Sequence, residues 1–427
     1  MRKVNVIGVG PGNPDMVTLE ALQAIRESDA LIGAGRAVAT AKEAMDLLGE
    51  KKTKPTCETF KTEEIISYMD MHPEYQSFAC VFTGDTSVYS GAVPLRKALK
   101  ARKEEMPETE EFIVNNFAGV SSIQYFLSKR AISMADVKLV SLHGRTMDLV
   151  PIIRENRFVC VLLGDEDSVA KIAEKLVQFG LCDVNITVGE RLSYQDECFT
   201  SGNPREIRLK RFDPLAIALF ENDAYRPRVN SFGIADDHFA RTDGIPITKR
   251  DVRALSLCRL AIHADSIIYD IGAGSGSIAI EAALACPEGR VYAVECNEDA
   301  VNTIERNRYA FQVDNIRILQ GMAPACLNPR ENPDAARLPK PDCVFIGGSK
   351  GRLFEIVDWA LGRNPDAIIV INTVTLETLA EVLEIEKRLT EYKFEMVEVQ
   401  ATGMERRGSY HMYRAENPIT ITRISKR

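Results

Sequence analysis

The residues with the clearest chemical potential sit past the middle of the chain. In "IIYDIGAGSGSIAIEAALAC" (267–286), Gly272, Gly274 and Gly276 are spaced G-x-G-x-G between an apolar run and an alanine-rich helical pattern. A dinucleotide fingerprint, G-x-G-x-x-G, sets a pyrophosphate on the helix N-terminus. Here the third glycine arrives one residue early. The tighter turn suits a phosphate-free cofactor whose ribose and amino-acid part press on the backbone, and S-adenosylmethionine meets that description. The next apolar run, "RVYAVE", ends in Glu295, 19 residues after Gly276, where a carboxylate can accept bonds from two ribose hydroxyls. The alternatives for this segment are a turn that only packs helix on strand, and a nicotinamide site.

A second set of small and polar residues lies near the N-terminus. In "VIGVGPGNPDMVTLEA", Gly8, Gly10, Pro11 and Gly12 end an apolar run and open toward a helix. Pro11 stiffens the loop, and the glycines let the backbone approach a ligand closely. Alone, this is equally a packing turn. Two later stretches add weight: "VFTGDTSVYSGA" (81–92), with Gly84, Asp85 and Thr86, and "NFAGVSSIQYFLSKR" (116–130), with Ser121 and Ser122 opening a helix. In an open α/β sheet, ligands collect outside the carboxyl ends of the strands, and all three segments place such residues there.

The elements that must position these residues alternate throughout. "VNVIGVG", "ALIGAG" and "SFACVFTG" read as strands, and "MVTLEALQAI" and "TEEIISYMD" as helices. This βαβ rhythm predicts a mainly parallel sheet. The charged stretch 97–111 reads as a solvated helix end and connection. A second α/β stretch follows, with "EFIVNNFAG", "VKLVSLHG", "FVCVLLG", "VNITVGE" and "LAIALFEN" as strands and "VAKIAEKLVQFG" as a helix closed by Gly180. A polar stretch with Pro and Gly, near 222–245, reads as the interdomain linker. Beyond it a third unit starts with "KRDVRALSLCRLAI" and ends in a strand-rich tail. The expected fold class is α/β, with residues 1–222 as one domain (subdomains about 1–111 and 112–222), 223–240 as linker and 241–427 as a second domain.

Composition bounds the rest. The chain has 427 residues, 45% hydrophobic and 27% charged, the balance of an ordinary globular protein. No apolar run approaches membrane-spanning length, and "MRKVNVIGVG" enters a strand with no signal-peptide pattern, so a cytoplasmic chain off the membrane is expected. None of the ten cysteines forms a C-x-x-C pair or a zinc-type cluster with histidine, so no metal is expected. A formal charge of −8 argues against nucleic acid as a partner.

"GIPITKRDVRALSLCRL", "YDIGAGSGSIAIEAA", "VYAVECNEDAVNTIERN", "FIGGSKGRL" and "VINTVTLETL" together resemble the decarboxylating C15-methyltransferases of the corrin (cobalamin) pathway, over nearly all of 241–427. The resemblance implies a Rossmann-like class I methyltransferase fold, with Thr248 near the methionine end of the cofactor and Ala323 beside its adenine. Many methyltransferases carry an acid after the glycine of that loop; this chain has Met322, which leaves adenine to backbone groups and apolar contact. Residues 1–222 resemble the tetrapyrrole methylase family, which binds S-adenosylmethionine between two α/β subdomains, and within it the C5-methyltransferases of corrin synthesis. Thr86 departs from the more usual Gly-Asp-Pro. Together the two halves resemble the fused C5,15-methyltransferases (decarboxylating). That implies two S-adenosylmethionine sites per chain, a precorrin-6B/7-type substrate with or without cobalt, loss of its C12 acetate carboxyl, and a homo-oligomer.

Such chemistry needs positioning more than an obligatory base, and no catalytic residue is assigned. The five histidines show no motif spacing; His143, at a strand end, suits a structural role or one supporting a neighbouring group. A polycarboxylate substrate calls for local cations despite the acidic total. Arg36 is expected in that role in the first half, and Lys249, Arg253 and Lys350, with Arg250 and Arg352, in the second. "MERRGSYHMY" reads as a solvated hairpin or a further carboxylate contact. The alternatives are an RNA or protein substrate for one half, or a non-catalytic, cofactor-binding N-terminal half.

Overall fold

Continuous apolar runs become strands covered on both faces, as parallel sheets require. In the computed structural model, which describes residues 2–427 apart from 48, 50–52, 106–111, 144–146, 166–167 and 228–230, nineteen strands are assigned. The connection expected over 106–111 lies outside the described residues.

The first sheet contains β1 (Arg2–Gly8), β2 (Ala30–Gly33), β3 (Thr56–Glu58), β4 (Ser77–Phe82) and β5 (Phe112–Phe117), in the order β3-β2-β4-β1-β5. Every pairing in it is parallel. The chain leaves β1 toward β2 on one side and leaves β4 toward β5 on the other. The carboxyl ends of β1 and β4 therefore flank a topological switch point, where such sheets bind ligands. Val4, Val6, Ile7 and Cys80 are wholly buried there.

The second sheet is mixed. It contains β6 (Val137–Ser141), β7 (Phe158–Leu162), β8 (Asn185–Glu190), β9 (Cys198–Gly202) and β10 (Ala216–Glu221), ordered β6-β7-β10-β8-β9. Only β6 and β7 run parallel. Neither β3 nor β9 is legible in the sequence: one is three residues long, and the other is a polar edge strand, so neither shows an apolar period.

The third sheet has seven strands: β11 (Ile267–Ile271), β12 (Arg290–Glu295), β13 (Ile316–Gln320), β14 (Cys343–Ile346), β15 (Ile368–Thr373), β16 (Tyr392–Val399) and β19 (Ile419–Lys426), ordered β13-β12-β11-β14-β15-β19-β16. The first five are parallel and β19 is inserted antiparallel. Its switch point lies between β11 and β14. The strands β17 (Thr402–Arg407) and β18 (Tyr410–Ala415) form a separate exposed hairpin. No described helix is long and apolar enough to cross a membrane.

By contacts the chain divides into two compact units. One comprises Met1–Arg145, Phe158–Lys171 and Val184–Glu221. The other comprises Thr146–Arg157, Ile172–Asp183 and Asn222–Arg427. Two stretches from the region expected to belong wholly to the first domain thus group with the third sheet, and a buried charge cluster explains why. The Asp148 carboxylate is nearly enclosed and accepts from Arg290 Nη2 (2.8 Å), Arg317 Nη2 (2.8 Å) and Lys175 Nζ (2.9 Å). Lys175 also reaches buried Asp314 at 2.9 Å. Phe179 packs on Tyr309 with ring centroids 4.9 Å apart, and its carbonyl accepts from Gln312. The expected linker is likewise tied down: the N–H groups of Gly233 and Ile234 donate to Glu281, and Phe239 is buried.

Burial pushes the Asp148 carboxyl up, but Arg317, Lys175 and Arg290 outweigh it and hold it below the usual aspartate range. A depressed folded pKa means stability that is present above the unfolded value, near 3.9, and lost as pH falls through the folded one. Asp148→Asn should cost about 3 kcal/mol at pH 7, the scale of breaking a buried ion pair. In thermal melts from pH 7 to pH 3, the gap between variant and parent should close at the acid end.

Candidate functional site

The C-terminal glycine turn is built by backbone against backbone. Gly272 (φ 72°) follows β11, and a Cβ there would sit 2.8 Å from the Gly348 carbonyl oxygen beyond β14. A Cβ on Gly274 (φ 54°) would come 2.8 Å from the Pro246 carbonyl oxygen. Only glycine tolerates both the left-handed backbone and the approach. Gly276 caps helix Ser277–Ala285 and lies against Ile304; it packs the helix and is not part of the cavity wall.

This turn opens on a cavity of about 290 Å³ whose walls include Pro246, Gly272, Gly274, Glu295, Ala323 and Lys350. Glu295 ends β12 with one carboxylate oxygen 2.9 Å from the Gly274 N–H and the other bonded to the N–H groups of Cys296 and Asn297. Burial pushes this carboxyl up, but those N–H donors outweigh it and keep it below the usual glutamate range. The oxygen that accepts from Gly274 retains a lone pair for a ligand hydroxyl, while the other is filled by its two N–H donors. Lys350 donates to the Cys296 sulfur at 3.1 Å, and this bond with the nearby acids holds its ammonium more firmly protonated.

Two expected residues sit differently. Arg253 is corrected from a substrate contact to a buried hub. Its guanidinium is inaccessible and bonds Glu281 (2.6 Å), Asp236 (3.1 Å) and the carbonyls of Thr248 and Ile234, which commits all three of its nitrogens inside the fold. Thr248 is outside the cavity wall; its carbonyl is held by Arg253, while Gly244 to Pro246 just before it do line the cavity. Lys249 stands 3.9 Å from Asp236 at the start of helix Arg250–Arg259, and Arg352 pairs with Glu355.

At the N-terminal site three loops are bonded into one. Gly10 and Gly84 exchange backbone hydrogen bonds (3.2 and 2.7 Å). Asp85 accepts from the Gly119 N–H at 3.1 Å and from Ser87. Burial opposes its ionisation, yet these donors keep its carboxyl below the usual range. A Cβ at Gly8 would lie 2.7 Å from the Gly84 carbonyl oxygen and 2.8 Å from the Gly119 nitrogen. Thr86 is buried, and its carbonyl accepts from Arg96. Ser121 caps helix Ser122–Lys129, of which Ser122 is the first residue. Pro11 leads into Gly12, which faces a cavity of about 470 Å³ that Arg36 also lines.

Residues that the motif reading passed over include Asp270, Cys296, Gly119 and the Gly347–Gly348 pair. Asp270 is wholly buried in β11 beneath the glycine turn, and neither of its oxygens makes a well-formed hydrogen bond among the described residues, the Ala279 N–H being a weak donor to it. Burial, with the Glu295 charge added, pushes its carboxyl up to about 7 against a weaker pull from the Ala279 N–H. The signal was present in the sequence as a lone acid inside "IIYDIG". Gly119 had no such signal, because its role depends on two other loops. A larger cavity of about 730 Å³, walled by Arg154, Glu155, Phe232 and Glu281 among others, contains none of the expected cofactor residues.

A carboxyl whose folded pKa is raised penalises folding progressively from its unfolded value, near 3.9, up to about 7. Asp270→Asn should therefore melt higher than the parent at pH 8, with the difference shrinking as pH falls toward 4. A variant that melts lower than the parent at pH 8 would refute the poorly satisfied carboxyl.

Two family descriptions match the chain: tetrapyrrole (corrin/porphyrin) methylases over residues 3–208, and the precorrin methyltransferase domain over residues 237–426. The cobalt-precorrin-6B C(15)-methyltransferase (decarboxylating) of Salmonella typhimurium is 34% identical over 192 residues, 45% of this chain and 95% of that protein. The precorrin-6Y C(5,15)-methyltransferase [decarboxylating] of Sinorhizobium sp. is 35% identical over 277 residues, 63% of this chain and 64% of that one. A crystal structure titled precorrin-6y C5,15-methyltransferase, from Geobacter metallireducens, is 37% identical with a TM-score of 0.41, covering 46% of this chain and 97% of that one. The chain belongs to the precorrin methyltransferases, as a tetrapyrrole methylase fused to a decarboxylating C15-methyltransferase.

Proposed function

We propose that the chain is a bifunctional S-adenosylmethionine-dependent methyltransferase of cobalamin biosynthesis that methylates C5 and C15 of a precorrin-type macrocycle and removes the carboxyl of its C12 acetate. The observation that carries this reading is the pairing, in one chain, of two glycine-lined switch points built by different folds. The domain limits proposed are 1–222 for C5 and 241–427 for C15, joined by 223–240. One cofactor site per domain makes two per chain.

The residues present fit S-adenosylmethionine at both places. At the C-terminal cavity the backbone is bare where Gly272 and Gly274 face it, Glu295 offers a carboxylate oxygen suited to a ribose hydroxyl, and buried Ala323 offers a small apolar wall for a base. At the N-terminal site, Gly8, Gly10, Gly12, Gly84, Asp85, Thr86, Ser121 and Ser122 border the joined loops. The bound cofactor supplies an electrophilic methyl on a sulfonium, and an electron-rich ring carbon of the substrate accepts it.

The chain's own residues supply orientation and charge. Lys350 and Lys249 on one half and Arg36 on the other are the cations assigned to acidic arms of the substrate; Lys350 and Arg36 line their cavities, and Lys249 stands beside Asp236. Decarboxylation needs the adjoining conjugated imine as electron sink and a proton afterwards. Among the described residues, no histidine lines the C-terminal cavity, whereas Glu295, Cys296 and Lys350 do. Exposed Met404, Tyr410, Met412 and Tyr413 on the β17–β18 hairpin support a homo-oligomer. The acidic total weighs against nucleic acid, and ten unpaired cysteines suit the reducing cytoplasm.

Mass spectrometry on the purified chain with S-adenosylmethionine and a late reduced precorrin, with and without cobalt, tests the reading. The expected product gains two methyls and loses one carbon dioxide. Gly272→Asp should leave one methyl transferred and abolish carbon dioxide loss, and should reduce S-adenosylhomocysteine binding from two sites to one. A parent chain that binds one equivalent, lost in Gly272→Asp, and transfers one methyl with loss of carbon dioxide would mean a non-catalytic N-terminal half.

A further inference from the structure

The 191–197 turn of the N-terminal unit carries features that the cofactor reading leaves unused. Arg191 (φ 47°) and Ser193 (φ 70°) both hold left-handed backbone conformations that non-glycine residues rarely adopt. Such outliers persist where the surroundings over-determine them. Here the Arg191 N–H donates to the Leu215 carbonyl (2.9 Å), the Ser193 N–H donates to Glu197 (2.6 Å), and the Asn13 N–H donates to the Ser193 hydroxyl (3.1 Å). The turn is thereby bolted to the glycine loop after β1. Tyr194 lies directly on Gly12, where a Cβ would come 2.3 Å from its ring.

These groups wall the cavity of about 470 Å³ already described, together with Arg36, Thr40 and Asp213. Asp196 holds Arg191 by its Nε at 2.5 Å, Asp213 stands 3.8 Å from its Nη1, and the guanidinium lies 5.3 Å over the Tyr194 ring. Arg191 is thus fixed in place. Arg36 projects from the first turn of helix Gly35–Leu47, exposed, and no acid pairs with it among the described residues. The wall also carries two acids: Asp213, which accepts the Leu215 N–H at 2.7 Å and stands by Arg191, and Glu43, exposed two turns along the helix from Arg36. The result is a cation without a partner facing a held one, beside the loop expected to carry the cofactor.

We propose that Arg36 and Arg191, with Tyr194 closing over Gly12, form a carboxylate subsite of the N-terminal methyltransferase. The subsite rests on the functional reading above, since it needs an acidic ligand at that site. Two carboxylates are available there: an acidic arm of the macrocycle, and the amino-acid carboxylate of the cofactor. A guanidinium recognises either through charge-assisted, forked hydrogen bonds.

Arg36→Ala is the direct test, because the side chain is exposed and makes no ion pair or side-chain hydrogen bond among the described residues. In the full chain, it should raise the KM for the C5 methylation by about 10- to 100-fold, the scale of one charged hydrogen bond. C15 methylation and carbon dioxide loss should stay unchanged, as an internal control. Arg36→Lys should recover part of the loss, and Arg191→Gln should shift KM in the same direction. If calorimetric affinity for S-adenosylhomocysteine at the N-terminal site falls by that factor instead, the carboxylate held is the cofactor's. Unchanged KM and unchanged affinity in Arg36→Ala, with the parent active, would overturn the subsite alone. A parent chain that methylates no precorrin would refute the functional reading instead.

Discussion

Everything chemical in this protein depends on strand ends that approach one another without a side chain between them. Beyond β11, Gly272 sits so close to Gly348 that a single methyl group would collide with its carbonyl. Beyond β1, Gly8 stands in the same relation to Gly84 and Gly119. In both sheets this contact occurs at the switch point, where consecutive connections leave in opposite directions and a crevice opens. Larger residues would force the loops apart and remove the wall against which a nucleoside can lie. The glycines thus serve packing and binding at once, because the packing creates the surface.

Charge is handled in opposite ways around the two ends of the third sheet. Away from the cavity, ionised groups are buried in closed sets: Arg253 with Glu281 and Asp236, and Asp148 with Arg290, Arg317 and Lys175. Such sets hold segments in place, since removing one member leaves the others uncompensated. Arg253 in particular joins the former linker, the start of helix Arg250–Arg259 and helix Ser277–Ala285, and so positions the Gly244–Pro246 wall. Near the cavity the rule changes. Asp270 is buried with no well-formed hydrogen bond among the described residues, and Glu295 keeps its charge through backbone donors with one lone pair free on the oxygen bonded to Gly274. Only Glu295 of these two lines the cavity beside the bare backbone of Gly272 and Gly274; Asp270 is sealed from it.

A net charge of −8 and a polycarboxylate substrate are reconciled by placement. Lys350 lines one cavity and Arg36 the other, so under the proposed function each cavity offers a local cation despite the acidic total. Total charge describes solubility and general partners; recognition is decided within a few ångströms, where a single guanidinium outweighs distant screened charge.

The parallel strands and both glycine turns were legible in the sequence because each rests on local pattern: apolar runs of strand length, helices closed by caps, and glycine spacing that only certain backbones need. Glu295 was legible for the same reason, as an acid ending the strand after the turn. What escaped was whatever depends on partners distant in the chain. Arg253 looks like any basic residue of an amphipathic helix until Glu281, 28 residues later, and Asp236 enclose it. Gly119 looks like an ordinary turn glycine until β1 and β4 bring their loops against it. Stretches 146–157 and 172–183 read as parts of the first domain, yet buried ion pairs group them with the third sheet. Sequence alone determined the apolar and amphipathic elements, their order and the cofactor-type turns, since these follow from local sterics and periodicity, but not the short or polar strands β3 and β9. Only tertiary structure decided which charges are buried, which remain available and which loops touch, because those outcomes turn on desolvation and contact between residues that the chain order keeps apart.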